Sequence, residues 1–418
     1  MSLKNELINI AKQAQTASRK MLEVSSAEKN KALREMAKAL LEHKSIIIAA
    51  NKKDISRAKK LKLSEAFIDR LTLSEKRIKD MAGSLNEVSR LNDPVGEVMA
   101  AWRRPNGLWI HKVRVPIGVI AIIYESRPNV TADCIGLCFK SGNSVILRGG
   151  SESINSNLAI FRILKDVLKA RKMPEGSINI ITTTDRAAVD TLLKLNDHID
   201  LVIPRGGEGL IRRVVSLSRI PVIKHYKGIC HVYVDEWADL EMAQKICFNA
   251  KVQRPGVCNA MESMLVHEAV AAGFLPSMAK KFKDAGVEIR GCPVTRRICK
   301  GIKRATDKDY HTEYLDLILS VKVVRDLDEA IDHINHYGTK HSDTIVTEDY
   351  KNALKFLRQV DSACVYANAS TRFTDGYQFG MGAEIGISTD KLHCRGPMAL
   401  EELTTYKYIV FGNGQIRE

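Results

Sequence analysis

What the sequence lacks narrows its possibilities first. No G-x-G-x-x-G fingerprint links a strand to a helix; the nearest stretch, Gly380-Met381-Gly382-Ala383-Glu384-Ile385-Gly386, has the wrong spacing, which excludes a standard Rossmann phosphate loop. Long apolar runs are missing too. The longest, Val115 to Tyr124, is about half of what a membrane-crossing helix needs, so no membrane association is expected. Met1-Ser2-Leu3-Lys4-Asn5-Glu6 mixes charges where a signal peptide would be basic and then apolar, and a cytoplasmic location is expected. The nine cysteines show no paired spacing and read as reduced thiols rather than a disulfide framework. Zinc-finger spacing, a basic region running into heptads and an RNP-type aromatic box are all absent. The surplus of 64 basic over 49 acidic residues, +15, therefore points to anionic small molecules rather than nucleic acid.

What is present fits a globular protein of more than one domain: 418 residues, 45% apolar and 27% charged. The first hundred residues look helical. Ser25-x-x-Glu28 and Thr72-x-x-Glu75 read as capping boxes, the first followed by Leu33, Met36, Ala37, Leu40 and Leu41 at helical spacing. From Gly118 the texture changes to short apolar runs separated by helical stretches: 119–124, 145–147, 178–181, 201–203, 222–223 and 232–234. Continuous apolar strands between helices indicate a parallel sheet covered on both faces, a doubly wound α/β domain. A second α/β pattern starts near Glu236, with helices through Phe248 and around Ala269 to Phe282, and strands at 264–266, 318–324 and 344–346. The tail 403–410 reads as a β-rich segment whose edge needs a partner.

Ligands of parallel sheets bind at the carboxyl ends of the strands, so the loops that follow them matter most. Arg148-Gly149-Gly150-Ser151 and Arg205-Gly206-Gly207 each join glycines, an arginine and a helix start. Either can cradle a phosphate or be a plain strand-to-helix turn. Cys258 is the candidate nucleophile, because Gln253-Arg254-Pro255-Gly256-Val257-Cys258-Asn259 puts a thiol in a turn near a cation that favours thiolate. Cys134 and Cys138, among Ile135, Leu137 and Phe139, read as core. His333, His336 and His341 read as surface or capping residues, since no carboxylate or cysteine pair completes a ligand set; no metal is expected.

Several segments together resemble a known family. They are Arg114 to Ile120, Tyr124-Glu125-Ser126-Arg127-Pro128-Asn129-Val130-Thr131, Ile203 to Gly207, Cys230 to Asp235, Gln253 to Glu262 and Gly396 to Lys407. In this order they resemble the gamma-glutamyl phosphate reductases, which act in proline biosynthesis and lie within the aldehyde dehydrogenase superfamily. The resemblance implies an aldehyde dehydrogenase-like α/β fold of two doubly wound domains plus a small β oligomerisation element. Residues 1–100 and 118–228, with part of 366–395, would form the NADPH-binding domain; 229–365 the catalytic domain; 101–117 and 396–418 the oligomerisation element. The implied reaction is NADPH-dependent reduction of L-glutamyl 5-phosphate to L-glutamate 5-semialdehyde and phosphate through a Cys258 thioester, in a cytoplasmic homo-oligomer that could associate with a glutamate kinase. Asn129 would help Cys258 stabilise the oxyanion. Glu313 would hold the nicotinamide ribose, Arg148, Ser151, Arg205, Gly206 and Gly207 would meet the dinucleotide phosphates, and Arg127 and Arg254 the substrate anions. Superfamily members that hydrolyse their thioester carry a Glu before a Gly-Gly turn some thirty residues ahead of the cysteine; the matching stretch here is Lys224-His225-Tyr226-Lys227-Gly228. Two other readings stay open: a coenzyme-A-linked aldehyde dehydrogenase, and a non-catalytic basic protein that binds nucleic acid.

Overall fold

The computed structural model describes residues 2–417; Met1 and Glu418, the outermost positions of the segments assigned above, lie outside the described residues. The chain divides into two compact units. One runs to Lys224 and takes back Gly380–Gly386 and the stretch from Met398 onward, and the other holds His225–Phe379 and Ile387–Pro397. No helix among the described residues is long and apolar enough to cross a membrane.

The first unit opens with the helices Leu3–Met21, Ser26–Glu42, Lys44–Lys60, Glu65–Leu71 and Glu75–Arg90. Ser25 and Glu28 form the expected reciprocal capping box, and Leu33, Met36, Ala37 and Leu40 are buried. Leu41 departs from this face and is 41% exposed. The second box is corrected: Ser74, not Thr72, caps Glu75–Arg90 by accepting from the Arg77 amide, while the Thr72 hydroxyl donates to the Ile68 carbonyl at 2.7 Å. A local hydroxyl has both options, and the preceding helix claims Thr72.

The sheet of this unit is parallel, in the order Ile178–Ile180, Ser144–Gly149, Val119–Tyr124, Leu201–Arg205. Its two central strands are buried along their whole length, as a sheet covered on both faces requires. Val222, expected in a strand, makes only a single bridge to Val202. Separately, Trp109–Pro116 pairs antiparallel with Val98–Arg103 on one side and Thr404–Phe411 on the other, so that one edge of the tail pairs within the chain while its other edge ends the sheet.

The second unit is built on a seven-stranded parallel sheet. The order is Lys303–Arg304, Glu288–Gly291, Ile318–Val324, Met261–His267, Cys230–Val234, Ser342–Val346, Cys364–Ala367. Side chains alternate between two cores: Val232, Val234 and Val266 face Phe274, Met278 and Phe282, while Tyr233, Leu265 and Ile345 face Ile331 and Phe356. The helix expected through Phe248 runs over Leu240–Val252, and the Asp239 carboxylate sets its N-terminus by accepting from the Glu241 and Met242 amides. Both units are α/β with parallel sheets, the expected fold class.

Candidate active site

Cys258 lies in the turn after the helix Leu240–Val252, in the second unit. It is the one cysteine of nine that is not buried. Burial pushes the thiols of Cys134, Cys138, Cys230 and Cys247 well above the usual range, so none of these offers a thiolate at neutral pH. The turn is held from several sides. A β-carbon on Gly228 would stand 1.8 Å from the Cys258 carbonyl oxygen, so only glycine lets that loop pass. The Cys230 thiol donates to the same carbonyl at 3.2 Å. The Thr371 hydroxyl donates to the Asn259 carbonyl at 2.8 Å, and the Asn259 amide donates to the Thr374 carbonyl at 2.8 Å.

Arg372 was not anticipated from the sequence. Its guanidinium donates to Gln253 Oε1 at 2.8 Å and to Asn259 Oδ1, bridging the two ends of the cysteine turn. Burial holds it below its usual pKa and the charge of Arg254 adds to this, while Cys258 opposes. The Arg372 guanidinium thus stands close enough to Cys258 to interact with it electrostatically, while Arg254, which acts on Arg372, is exposed. Glu313 lies in the same unit, where its Oε1 accepts from the Gly228 amide at 2.8 Å. One of its oxygens is therefore committed to the loop that packs on Cys258.

His225 and His341 complete this cluster. Their rings meet edge to face with centroids 5.5 Å apart, and one ring nitrogen of each lies within 4.8 Å of the other and of Cys258 Sγ. The expectation of surface or capping histidines is corrected for His341 and His333, which are buried, and met for the exposed His336. Helical periodicity and sheet placement put His333 beneath the sheet against His231 and Tyr310, where burial drives its pKa down to about 2. His341 enters because Ser342–Val346 pairs beside Cys230–Val234, a neighbour more than a hundred residues earlier. Nothing local to His341 signals that. The same holds for Arg372, 113 residues from the Asn259 it contacts.

The remaining candidates belong to the first unit. Asn129 opens the helix Asn129–Lys140 and its amide donates to Asp133 at 3.1 Å; Arg127 is exposed just ahead of it. Arg148 is nearly buried, and its guanidinium turns back to donate to the carbonyls of Gly149 and Thr184, both at 3.1 Å. Ser151 starts a single 3₁₀ turn. The Arg205 guanidinium lies over Gly386, where a β-carbon would come within 2.1 Å of it.

Gly206 and Gly207 lead into the helix Glu208–Leu217 and already hold an anion. The Gly207 amide donates to Glu125 Oε2 at 3.0 Å, and a β-carbon on Gly206 would strike the same oxygen at 2.3 Å. A carboxylate oxygen on an amide at a helix N-terminus is the arrangement that also takes a phosphate, so these residues fit an anionic cofactor group.

Comparison with known proteins places this architecture. The aldehyde dehydrogenase family model matches residues 2–292 and 305–409. The gamma-glutamyl phosphate reductase of Thermodesulfovibrio yellowstonii is 59% identical over 418 residues, all of both chains, and that of Carboxydothermus hydrogenoformans is 58% identical over 413 residues, 99% of this chain and all of the relative. The crystal structure of gamma-glutamyl phosphate reductase from Thermotoga maritima superimposes with a TM-score of 0.97 at 49% identity, covering 99% of this chain and 100% of the other. The chain belongs to the aldehyde dehydrogenase family and, within it, to the gamma-glutamyl phosphate reductases.

Proposed function

We propose that Cys258 is the nucleophile with which this enzyme converts L-glutamyl 5-phosphate to L-glutamate 5-semialdehyde and phosphate. The observation that carries the reading is the contrast between Cys258 and the eight buried cysteines: it alone combines access, a turn held from several sides and the nearby Arg372 guanidinium. The thiolate adds to the acyl carbon, a C–S bond forms, and the oxyanion re-forms the carbonyl as the C–O bond to phosphate breaks. A thioester remains. Asn129 is the proposed donor to the oxyanion, and Arg254 with Arg127 the proposed partners of the substrate anions. Arg372 keeps the turn in register.

The aldehyde dehydrogenase family uses a nicotinamide cofactor, and NADPH is the form proposed here. When bound, it supplies the hydride that takes the thioester to the aldehyde level. The chain's part is to hold it: the Gly206–Gly207 turn for a phosphate, with Glu125 yielding its place, and Arg205 beside that turn. Glu313 acts on the ribose through whatever its bond to Gly228 leaves available. In the final step the carbonyl re-forms as the C–S bond breaks, and its electron pair leaves with the sulfur, returning Cys258 as the thiolate that began the cycle.

Water has to be kept from the thioester. His225, a ring nitrogen of which lies within 4.8 Å of Cys258 Sγ, stands where hydrolytic relatives place their water-activating Glu. This supports an acyl partner other than water, and the 59% identity to a gamma-glutamyl phosphate reductase supports phosphate over coenzyme A. A cytoplasmic, homo-oligomeric enzyme belongs to the same reading, and association between copies is supported by the exposed aromatic side chains Trp109, Tyr406, Tyr408 and Phe411 on the antiparallel sheet. The deciding experiment is the reverse reaction: NADP⁺ reduction with glutamate semialdehyde requires inorganic phosphate and disappears in Cys258→Ser. Equal rates with and without phosphate would refute the reading.

A further inference from the structure

We propose that His225, His341 and Cys258 form a binding site for a borderline-soft divalent metal ion, Zn²⁺ foremost, whose occupation masks the thiol. The inhibition, though not the metal binding, rests on the role proposed above for Cys258.

Three donors of the right kind, two imidazole nitrogens and a thiol sulfur, converge from three parts of the second unit. His225 comes from its first residue, Cys258 from the turn after Leu240–Val252, and His341 from the start of the strand Ser342–Val346. One donor atom of each lies within 4.8 Å of the others. Tetrahedral zinc, with bonds of about 2.3 Å to sulfur and 2.0–2.1 Å to nitrogen, would draw them to about 3.3–3.6 Å, a closure of roughly 1 Å. One cysteine and two histidines leave a fourth position for water.

The surroundings already orient the rings as a metal would require. His225 Nδ1 donates to the Ile387 carbonyl at 2.8 Å, which leaves the lone pair of the neutral ring on Nε2. His341 Nδ1 pairs with the Ser342 hydroxyl at 2.8 Å, and that hydroxyl continues to Thr374 Oγ1 at 2.6 Å. The other nitrogen, His341 Nε2, is fully buried and has no hydrogen-bond partner. A buried polar atom in that state calls for a ligand. No carboxylate shares the cluster, which disfavours Mg²⁺ and Ca²⁺. On binding, the S–H bond of Cys258 breaks, its proton passes to solvent, and one sulfur and two nitrogen bonds to the ion form without any change of oxidation state.

The test uses Co²⁺ as a spectroscopic probe of the reduced, full-length protein. A thiolate-to-cobalt charge-transfer absorption should rise and saturate at about one equivalent, Zn²⁺ should bleach it, and Mg²⁺ should not. Cys258→Ala should lack the band. His341→Gln should weaken Co²⁺ binding by about tenfold or more. Because His341 is buried, His225→Asn, at a half-buried ring, serves as the second ligand variant, with circular dichroism melts to show that both fold. No band at stoichiometric Co²⁺, or a band that survives in Cys258→Ala, would overturn the site. A band that behaves as described while Zn²⁺ leaves the reductase rate unchanged would keep the site and overturn the masking, and with it the role of Cys258.

Discussion

Gly228 passes so close to the main chain of Cys258 that a β-carbon there would sit 1.8 Å from the carbonyl oxygen and 2.7 Å from the α-carbon. Neither backbone can yield without moving the nucleophile. The Gly228 backbone is not left-handed, so Gly228→Ala introduces no torsional strain of its own and reports the contact alone. A shift of about 1 Å at a reacting group costs on the order of 10²-fold in rate. Gly228→Ala should therefore lower kcat by about that much, while NADPH affinity changes little. Steady-state kinetics with a cofactor-binding titration check this, and a wild-type kcat would contradict it.

Reactivity of the cysteines should follow their burial. Iodoacetamide at neutral pH should label Cys258 first, with activity lost in step, and peptide mass mapping should find the other eight unmodified at half-inactivation. Inactivation that tracks Cys134 or Cys138 would sink the assignment.

Lys251 and Glu262 form an ion pair at 2.7 Å with both side chains almost fully buried. Burial outweighs their mutual attraction: it pushes the Glu262 carboxyl up to about 7 and the Lys251 ammonium below its ordinary range. From the ordinary value of 4.5 up to about 7, the folded state then holds more of the Glu262 proton than the unfolded chain does. This contribution to stability is complete below pH 4.5 and is lost as pH rises through 7. Glu262→Gln should flatten the pH dependence in that window, read by urea unfolding at successive pH values. Lys251→Met alone strands a buried carboxylate and should cost about 3–5 kcal/mol, whereas Lys251→Met with Glu262→Leu should come close to the wild type. A single variant no worse than the double would rule this out.

At the cofactor turn, Gly206→Ala would drive a methyl group into the Glu125 carboxylate that now occupies the Gly207 amide. NADPH affinity should fall by about tenfold, as the loss of one charge-assisted hydrogen bond predicts. Glu125→Ala removes the competing carboxylate and should bind NADPH as well as wild type or better. Fluorescence titration of bound NADPH distinguishes the two, and unchanged affinity in Gly206→Ala would place the phosphates elsewhere.

Much of the architecture follows from neighbours within a few residues. The run Val119–Tyr124 is a strand over the residues expected, its unbroken apolar side chains covered on both faces, and Ile318–Val324 is one as well, its β-branched residues outweighing Ser320 and Lys322. Ser25 with Glu28 sets its helix start by bonds that span three residues. The cysteine turn was legible for the same reason: Pro255 and Gly256 break the preceding helix, and Cys258 is the thiol outside any apolar period. Local competition already blurs the edges, as where Ser74 rather than Thr72 caps Glu75–Arg90.

What surrounds Cys258 was decided by tertiary structure alone. His341 reaches the thiol because its strand lies beside Cys230–Val234, and Arg372 reaches the turn because its loop folds back on Asn259. The requirement for glycine at 228 comes from the main chain that crosses there rather than from a left-handed backbone. The Gly206–Gly207 turn holds the Glu125 carboxylate because the strands Val119–Tyr124 and Leu201–Arg205 are neighbours. Strand order in a parallel sheet is set by which crossovers bury the most apolar surface across the whole unit, a sum over residues far apart in the chain. Short-range periodicity carries the elements; that global sum chooses their neighbours, and through them the charges and ligands around the nucleophile.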